Sequence, residues 1–199
     1  MKIVGLDMST HCGWALISDE AGLLGHGLYE TSDKPLNSLV EDYFYMARAS
    51  SISYQVAGLV MQVQPDYIYI EQTNKGRARG SQKQLEFIHF AVLYELKKNN
   101  WHHKVRYIDT SDWRKILNIK MTKDDSKHNK RVKSGEIRGK ITPKHLAVRW
   151  ANEMYKQKLK LKDNDIADAM AVATCGILKE KTKLGYNINQ RELIKALSD

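Results

Sequence analysis

Cysteine is nearly absent from this chain. Its 199 residues include two, Cys12 and Cys175, far apart and without the paired spacing that a zinc site or a disulfide framework requires. Both read as reduced packing residues. Long apolar runs are missing too: none approaches the roughly 18 residues of a membrane helix. Lys2 leads straight into IVGL, with no charged and apolar leader segment, so the expectation is a soluble protein of the cytoplasm. No internal repeat or low-complexity linker is visible. A hydrophobic fraction of 42% and a charged fraction of 28% describe one ordinary globular domain, with a core over about residues 1–180 and a tail at 181–199. Positive charge is what the chain does not lack. Lys and Arg number 32 against 23 Asp and Glu, a net +9, which points to a polyanionic partner. Nucleic acid is favoured over membrane because no clear basic amphipathic anchor is present.

Short apolar runs at 3–7, 13–18 and 21–31, broken by small and polar residues, predict an antiparallel meander. Apolar residues at three- and four-residue steps from about Leu36 to Gln64 predict one or two long helices ending at Pro65. DYIYIEQ (66–72) and KVRYID (104–109) read as strands. Helices are expected at 81–100, with Ser81 as N-cap, at 110–119, at 142–157, with Thr142 capping and Pro143 in the first turn, and at 164–180. Residues 120–140 are polar, charged and poorly periodic. Three strands, helix, strand, helix, strand, helices is the order of an α/β layered domain whose sheet is part antiparallel and part parallel.

The first strand ends on a bare carboxylate, Asp7, and the strand at 67–71 ends on another, Glu71. A carboxylate there costs several kcal/mol unless paired, hydrogen-bonded or metal-bound. Either alone is compatible with a turn cap or an arginine partner. In NDIADAMAVA, Asp165 and Asp168 are three apart on one helix face that is otherwise small and apolar. Asp163 and Asp165 suit a first helical turn, but Asp168 lies past it. Four carboxylates without a histidine or cysteine among them form the oxygen-only set that a hard cation such as Mg²⁺ prefers. Two such ions support in-line phosphoryl displacement, hence phosphodiester hydrolysis.

KIVGLDMSTHCGWAL, YIYIEQ and NDIADAMAVA, in that order and at those separations, resemble the signature segments of the RuvC-type Holliday-junction resolvases of the ribonuclease H-like superfamily. The resemblance covers residues 1 to about 178. It implies a ribonuclease H-like fold with a five-stranded mixed sheet, three strands antiparallel, flanked by helices. It also implies four acidic ligands, here Asp7, Glu71, Asp165 and Asp168, holding two Mg²⁺ ions, with Mn²⁺ as a substitute. The activity implied is paired nicking of branched DNA by a homodimer, leaving 5′-phosphate and 3′-hydroxyl ends. The compact, lysine-rich chain looks more like a bacteriophage member than a cellular one, which would place it in the host cytoplasm. Broader flap or fork nucleases and RNA-processing nucleases of the same superfamily share the motifs. A non-catalytic junction-binding protein would be expected to have lost a carboxylate. An actin-like kinase or ATPase, which also opens on a strand ending in Asp, needs a second domain and later glycine-rich phosphate loops.

NKGRARGSQK (74–83) places Lys75, Arg77, Arg79 and Lys83 around two glycines, directly after the Glu71 strand. Such a loop suits phosphate binding. The resemblance implies that it meets the junction, yet the aromatic that the family commonly carries there is missing. Residues 120–149 hold ten Lys and Arg against three acidic residues, with Lys144 and Arg149 presented beside Trp150. Lys140 and Lys144 resemble basic positions near the scissile strand, whereas Trp113 reads as core. The histidines show no metal spacing, though His11, four residues after Asp7, falls near the site. The helix at 81–98, with Phe87, Phe90 and Tyr94 at helical steps, is the expected place for a dimer contact.

Overall fold

A computed structural model describes residues 1–31, 41–72 and 79–185, the side chains at 41, 42 and 79–81 excepted. Strands β1 (Lys2–Asp7), β2 (His11–Ser18) and β3 (Gly22–Glu30) form the antiparallel meander, with Gly22 in the left-handed conformation (φ 66°) opening β3. Helix α1 (Glu41–Val63) leads to β4 (Tyr67–Glu71), which returns parallel to β1. Helix α2 (Arg79–Lys98) then leads to β5 (Val105–Ile108), parallel to β4. The sheet order is β3-β2-β1-β4-β5, so the strand ending on Asp7 lies in the middle. The mixed five-stranded sheet expected from the sequence is the one observed.

The rest of the described chain is helical: α3 (Thr110–Ile116), α4 (Lys123–Lys133), α5 (Pro143–Tyr155) and α6 (Asn164–Lys183). Two cores flank the sheet because strand side chains alternate. Val4, Leu6, Ile68 and Ile70 pack against α1 and α2. Ile3, Ile17, Tyr69 and Ile108 pack with α3, α5 and α6. A central strand covered on both faces reads as an unbroken apolar run, as IVGL does. Trp113 is fully buried, as expected of a core residue, and Cys12 and Cys175 are buried and free. Helix α2 starts at Arg79, two residues before the expected cap, Ser81. Among the described residues no helix is long and apolar enough to cross a membrane.

Helix α4 lies in the stretch that offered no apolar periodicity, and its anchors explain why. Thr122 and Asp125 form a reciprocal capping box. Asp125 is the one buried residue of α4, held by both Arg149 nitrogens at 3.0 and 2.6 Å. The Asn129 amide also brackets Ile141, donating to its carbonyl and accepting from its N–H. The helix is thus fastened by polar contacts rather than an apolar stripe. Arg149, expected to face phosphate beside Trp150, is instead a bidentate partner of Asp125, and that hydrogen-bonded guanidinium holds the Asp125 carboxyl well below the usual carboxylate range. Breaking this fork with Arg149→Met leaves a buried carboxylate unpaired. The expected result is faster amide hydrogen exchange across 123–133 while β1 and α6 keep their protection, read by mass spectrometry.

Candidate metal centre

Asp7, at the end of β1, and Glu71, at the end of β4, emerge side by side because the two strands are parallel neighbours with Leu6 opposite Ile70. Side-chain alternation places both on the face covered by α6. That helix crosses the sheet unusually closely. A Cβ on Gly5 would lie 2.3 Å from the Ala169 carbonyl oxygen, and one on Gly13 only 2.0 Å from the Asp165 carbonyl oxygen. Gly13 is the register partner of Asp7. Two glycines therefore let the α6 backbone sit where Asp168 reaches the strand carboxylates.

The result is a cluster in which Asp7, Glu71 and Asp168 each offer an oxygen within 4.8 Å of the others. Burial foremost, then the Glu71 carboxylate, pushes Asp168 up to about 7, and Asp165 adds to the rise while Arg114 and Lys144 oppose it. Asp168 is 8% exposed, and its Oδ1 is buried without a hydrogen-bond partner. A buried orphan oxygen among like charges is a site built for a cation, and the all-carboxylate set selects a hard one such as Mg²⁺ or Mn²⁺. Burial and the nearby Asp7 push the Cys12 thiol up, so the buried sulfur is a neutral packing group.

Asp165 stands one turn before Asp168 and outside the group of three. Its carboxylate accepts a hydrogen bond from the Asn164 amide, whose oxygen accepts from Lys144 Nζ at 3.2 Å. Asp163 accepts from the Lys160 backbone N–H at 2.8 Å, so it caps a 3₁₀ turn. His11 is exposed, with Nδ1 3.3 Å from the Thr10 hydroxyl, and is not in the cluster. His145 Nδ1 accepts from the Thr142 N–H at 3.2 Å. Of the basic positions, Lys75 and Arg77 and the tail beyond 185 lie outside the described residues. Arg79 opens α2, Lys83 and Lys140 are exposed, and exposed Lys144 acts on Asp168.

Two residues of the site were not singled out from the sequence. Thr110 donates its hydroxyl to the Glu71 carboxylate, and Arg114, one turn later on α3, is the foremost cation acting on Asp168. The available signal was their four-residue spacing on a helix that starts directly after β5.

No family model and no curated protein matches the chain. Solved structures do. Thermus thermophilus RuvC in complex with a Holliday-junction substrate superposes with a TM-score of 0.65 at 15% identity, covering 92% of this chain and 96% of that one. Thermus thermophilus RuvC alone gives 0.64 at 15% identity, with 93% and 97% covered. The fold is ribonuclease H-like. The yeast mitochondrial Holliday-junction resolvase Ydc2 shares it at a TM-score of 0.51 and 15% identity, over 97% of this chain and 82% of that one.

Proposed function

We propose that this chain is a metal-dependent endonuclease that nicks branched DNA, four-way junctions foremost, as a homodimer built from one ribonuclease H-like domain. The observation that carries the reading is the meeting of Asp7, Glu71 and Asp168 at the centre of the sheet. Asp165 joins them as a fourth ligand. Two bound Mg²⁺ ions would supply an activated water and neutralise charge at the leaving oxygen. The chain's own part is to orient and to attract. Thr110 holds the Glu71 carboxylate in place, and Arg114 and Lys144 set positive charge beside Asp168, where a phosphodiester must approach a cluster of carboxylates. Lys75, Arg77, Arg79, Lys83, Lys140 and Lys144 bind the flanking phosphates. The 3′-oxygen leaves, so the products carry 5′-phosphate and 3′-hydroxyl ends.

Resolution of a four-way junction needs two opposed cuts, which two-fold symmetry supplies. The face shared by α1 and α2 suits the dimer contact. It exposes Met46, Tyr54, Phe90 and Tyr94 along an apolar groove of about 290 Å³. Its partner is a second copy of this chain.

The test is cleavage of a labelled synthetic junction beside a linear duplex, a flap and a structured RNA, in Mg²⁺ and in EDTA, with light scattering for mass. Paired, Mg²⁺-dependent nicks near the crossover of the junction are expected from a dimer. Equal cutting of flap and junction would replace the resolvase reading with a general branch nuclease. Cutting of RNA alone would move the activity to RNA processing, and tight binding without nicks would leave a binding protein.

A further inference from the structure

Asn164 opens α6 immediately before Asp165, a place where an asparagine ordinarily serves to cap the helix. It has another task here. The cap position belongs to Asp163, whose side chain makes no capping bond to α6. Asn164 is 8% exposed, and both ends of its amide are engaged. The nitrogen donates to the Asp165 carboxylate, and the oxygen accepts from Lys144 Nζ, on the second residue of α5, at 3.2 Å. The partners dictate that orientation, because an ammonium can only donate and a carboxylate can only accept. Neither leucine nor aspartate, of nearly the same shape, makes both bonds.

This chain of contacts ends beside the metal cluster without entering it. Asp7, Glu71 and Asp168 bring oxygens within 4.8 Å of one another, and Asp165 stands outside that group. Asp165 and Lys144 are nevertheless both close enough to act on Asp168, in opposite directions. Two groups of opposite sign thus flank the cluster and are tied to each other through one buried amide. Lys144 is exposed, so its ammonium is the end of the chain that an approaching anion meets first. A phosphate oxygen offers Lys144 a full negative charge in place of an amide dipole. Once the ammonium turns to it, the Asn164 oxygen is buried without its partner. The amide can then rotate, and rotation withdraws its nitrogen from Asp165. With three residues between them on one helix, Asp165 and Asp168 share a face, so the released carboxylate has the cluster beside it.

We propose that Asn164 is a positioning residue that withholds Asp165 from the metal cluster and yields it when Lys144 is drawn to a DNA phosphate. The fourth carboxylate is then added only with substrate in place. Until that moment, one fewer like charge crowds Asp7, Glu71 and Asp168. The inference rests on the nuclease reading and deepens it, because it makes completion of the ion site depend on the nucleic acid.

The experiment uses the full chain and begins with Mn²⁺ binding in the absence of DNA, followed by titration calorimetry and by the paramagnetic resonance of the unbound ion. Asn164→Leu removes both bonds and keeps the side-chain shape, and it should bind Mn²⁺ about tenfold more tightly than the wild type, since the ion no longer competes with a hydrogen bond to a charged group. Asn164→Ala, which adds no bulk, should do the same. The gain should vanish when either change is combined with Asp165→Asn, measured against Asp165→Asn alone. Coupling between ion and substrate is reciprocal, so Ca²⁺ should strengthen wild-type binding to a four-way junction, and by about tenfold more than it does for Asn164→Leu. A purely structural asparagine predicts weaker Mn²⁺ binding and lower urea stability instead. Mn²⁺ affinity unchanged or reduced in both variants, or a gain that survives Asp165→Asn, overturns the proposal, as does equal Ca²⁺ coupling in wild type and Asn164→Leu. If such results come with junction cleavage by the wild type, the role of Asn164 alone is lost, whereas a wild type that neither binds nor cuts junctions overturns the nuclease reading with it.

Discussion

Replacing Asp168 with asparagine raises the stability of the metal-free protein at pH 8 and abolishes cleavage. The two effects share a cause. Asp168 titrates at about 7 against an ordinary 3.8, because burial first and Glu71 second disfavour its charge. The folded state therefore holds a proton that the unfolded chain has released, and stability falls as pH rises from about 4 to about 7, then stays low. The asparagine variant lacks this loss, so in EDTA at pH 8 it should be more stable by about 1–3 kcal/mol, with the gain gone at pH 4. Urea denaturation at the two pH values measures it. Mg²⁺ reverses the order, because a cation that binds only the native carboxylates stabilises the wild type. An ordinary buried aspartate with a structural partner would behave oppositely, losing stability on substitution at pH 8.

The second large effect belongs to a residue with no side chain. Gly13→Ala puts a methyl group 2.0 Å from the Asp165 carbonyl oxygen and 2.3 Å from its carbon. These are backbone atoms of a buried helix and cannot rotate aside, so α6 must move off the sheet. The expected cost is about 2–4 kcal/mol, with a Mn²⁺ affinity reduced at least about tenfold, because a sub-ångström shift of the helix misplaces Asp168. Calorimetric titration and urea melts read the two. Gly58→Ala is the control: it sits exposed on α1 with nothing within 4 Å of the added methyl, and it should be neutral to slightly stabilising. Equal behaviour of the two variants would remove close helix–sheet approach from the account of the site.

What could be read from the sequence follows how local each cause is. Asp7 and Glu71 announced themselves because an apolar run ending on a bare carboxylate is a conflict visible within six residues. Asp168 did so because a charge past the first turn of an alanine-rich helix has no local reason. The mixed character of the sheet, antiparallel then parallel, followed from strand and helix order and from the short meander connections. Helix α4 stayed hidden because its anchors are polar contacts, the Asp125 pair with Arg149 24 residues away and the Asn129 amide on Ile141, rather than a periodic stripe. Gly5 and Gly13 looked like ordinary small residues in strands, since the backbone that needs their emptiness lies more than 150 positions downstream. Thr110 and Arg114 matter only through contacts made across the sheet end.

Helix α6 has a consequence for timescale. It carries Asp168, and from Ala167 to Leu178 every residue of it is buried against the sheet and α5. Segments so deeply packed open only when the whole domain opens. The three carboxylates therefore keep their mutual approach whether or not an ion is present, and repulsion between them is never relieved by local breathing. Ion binding is then capture into a fixed socket rather than a closing hand. Any slow conformational step in turnover then resides in the parts that lie outside this frame, and it can be altered by substitution there without touching the intrinsic affinity for the ion.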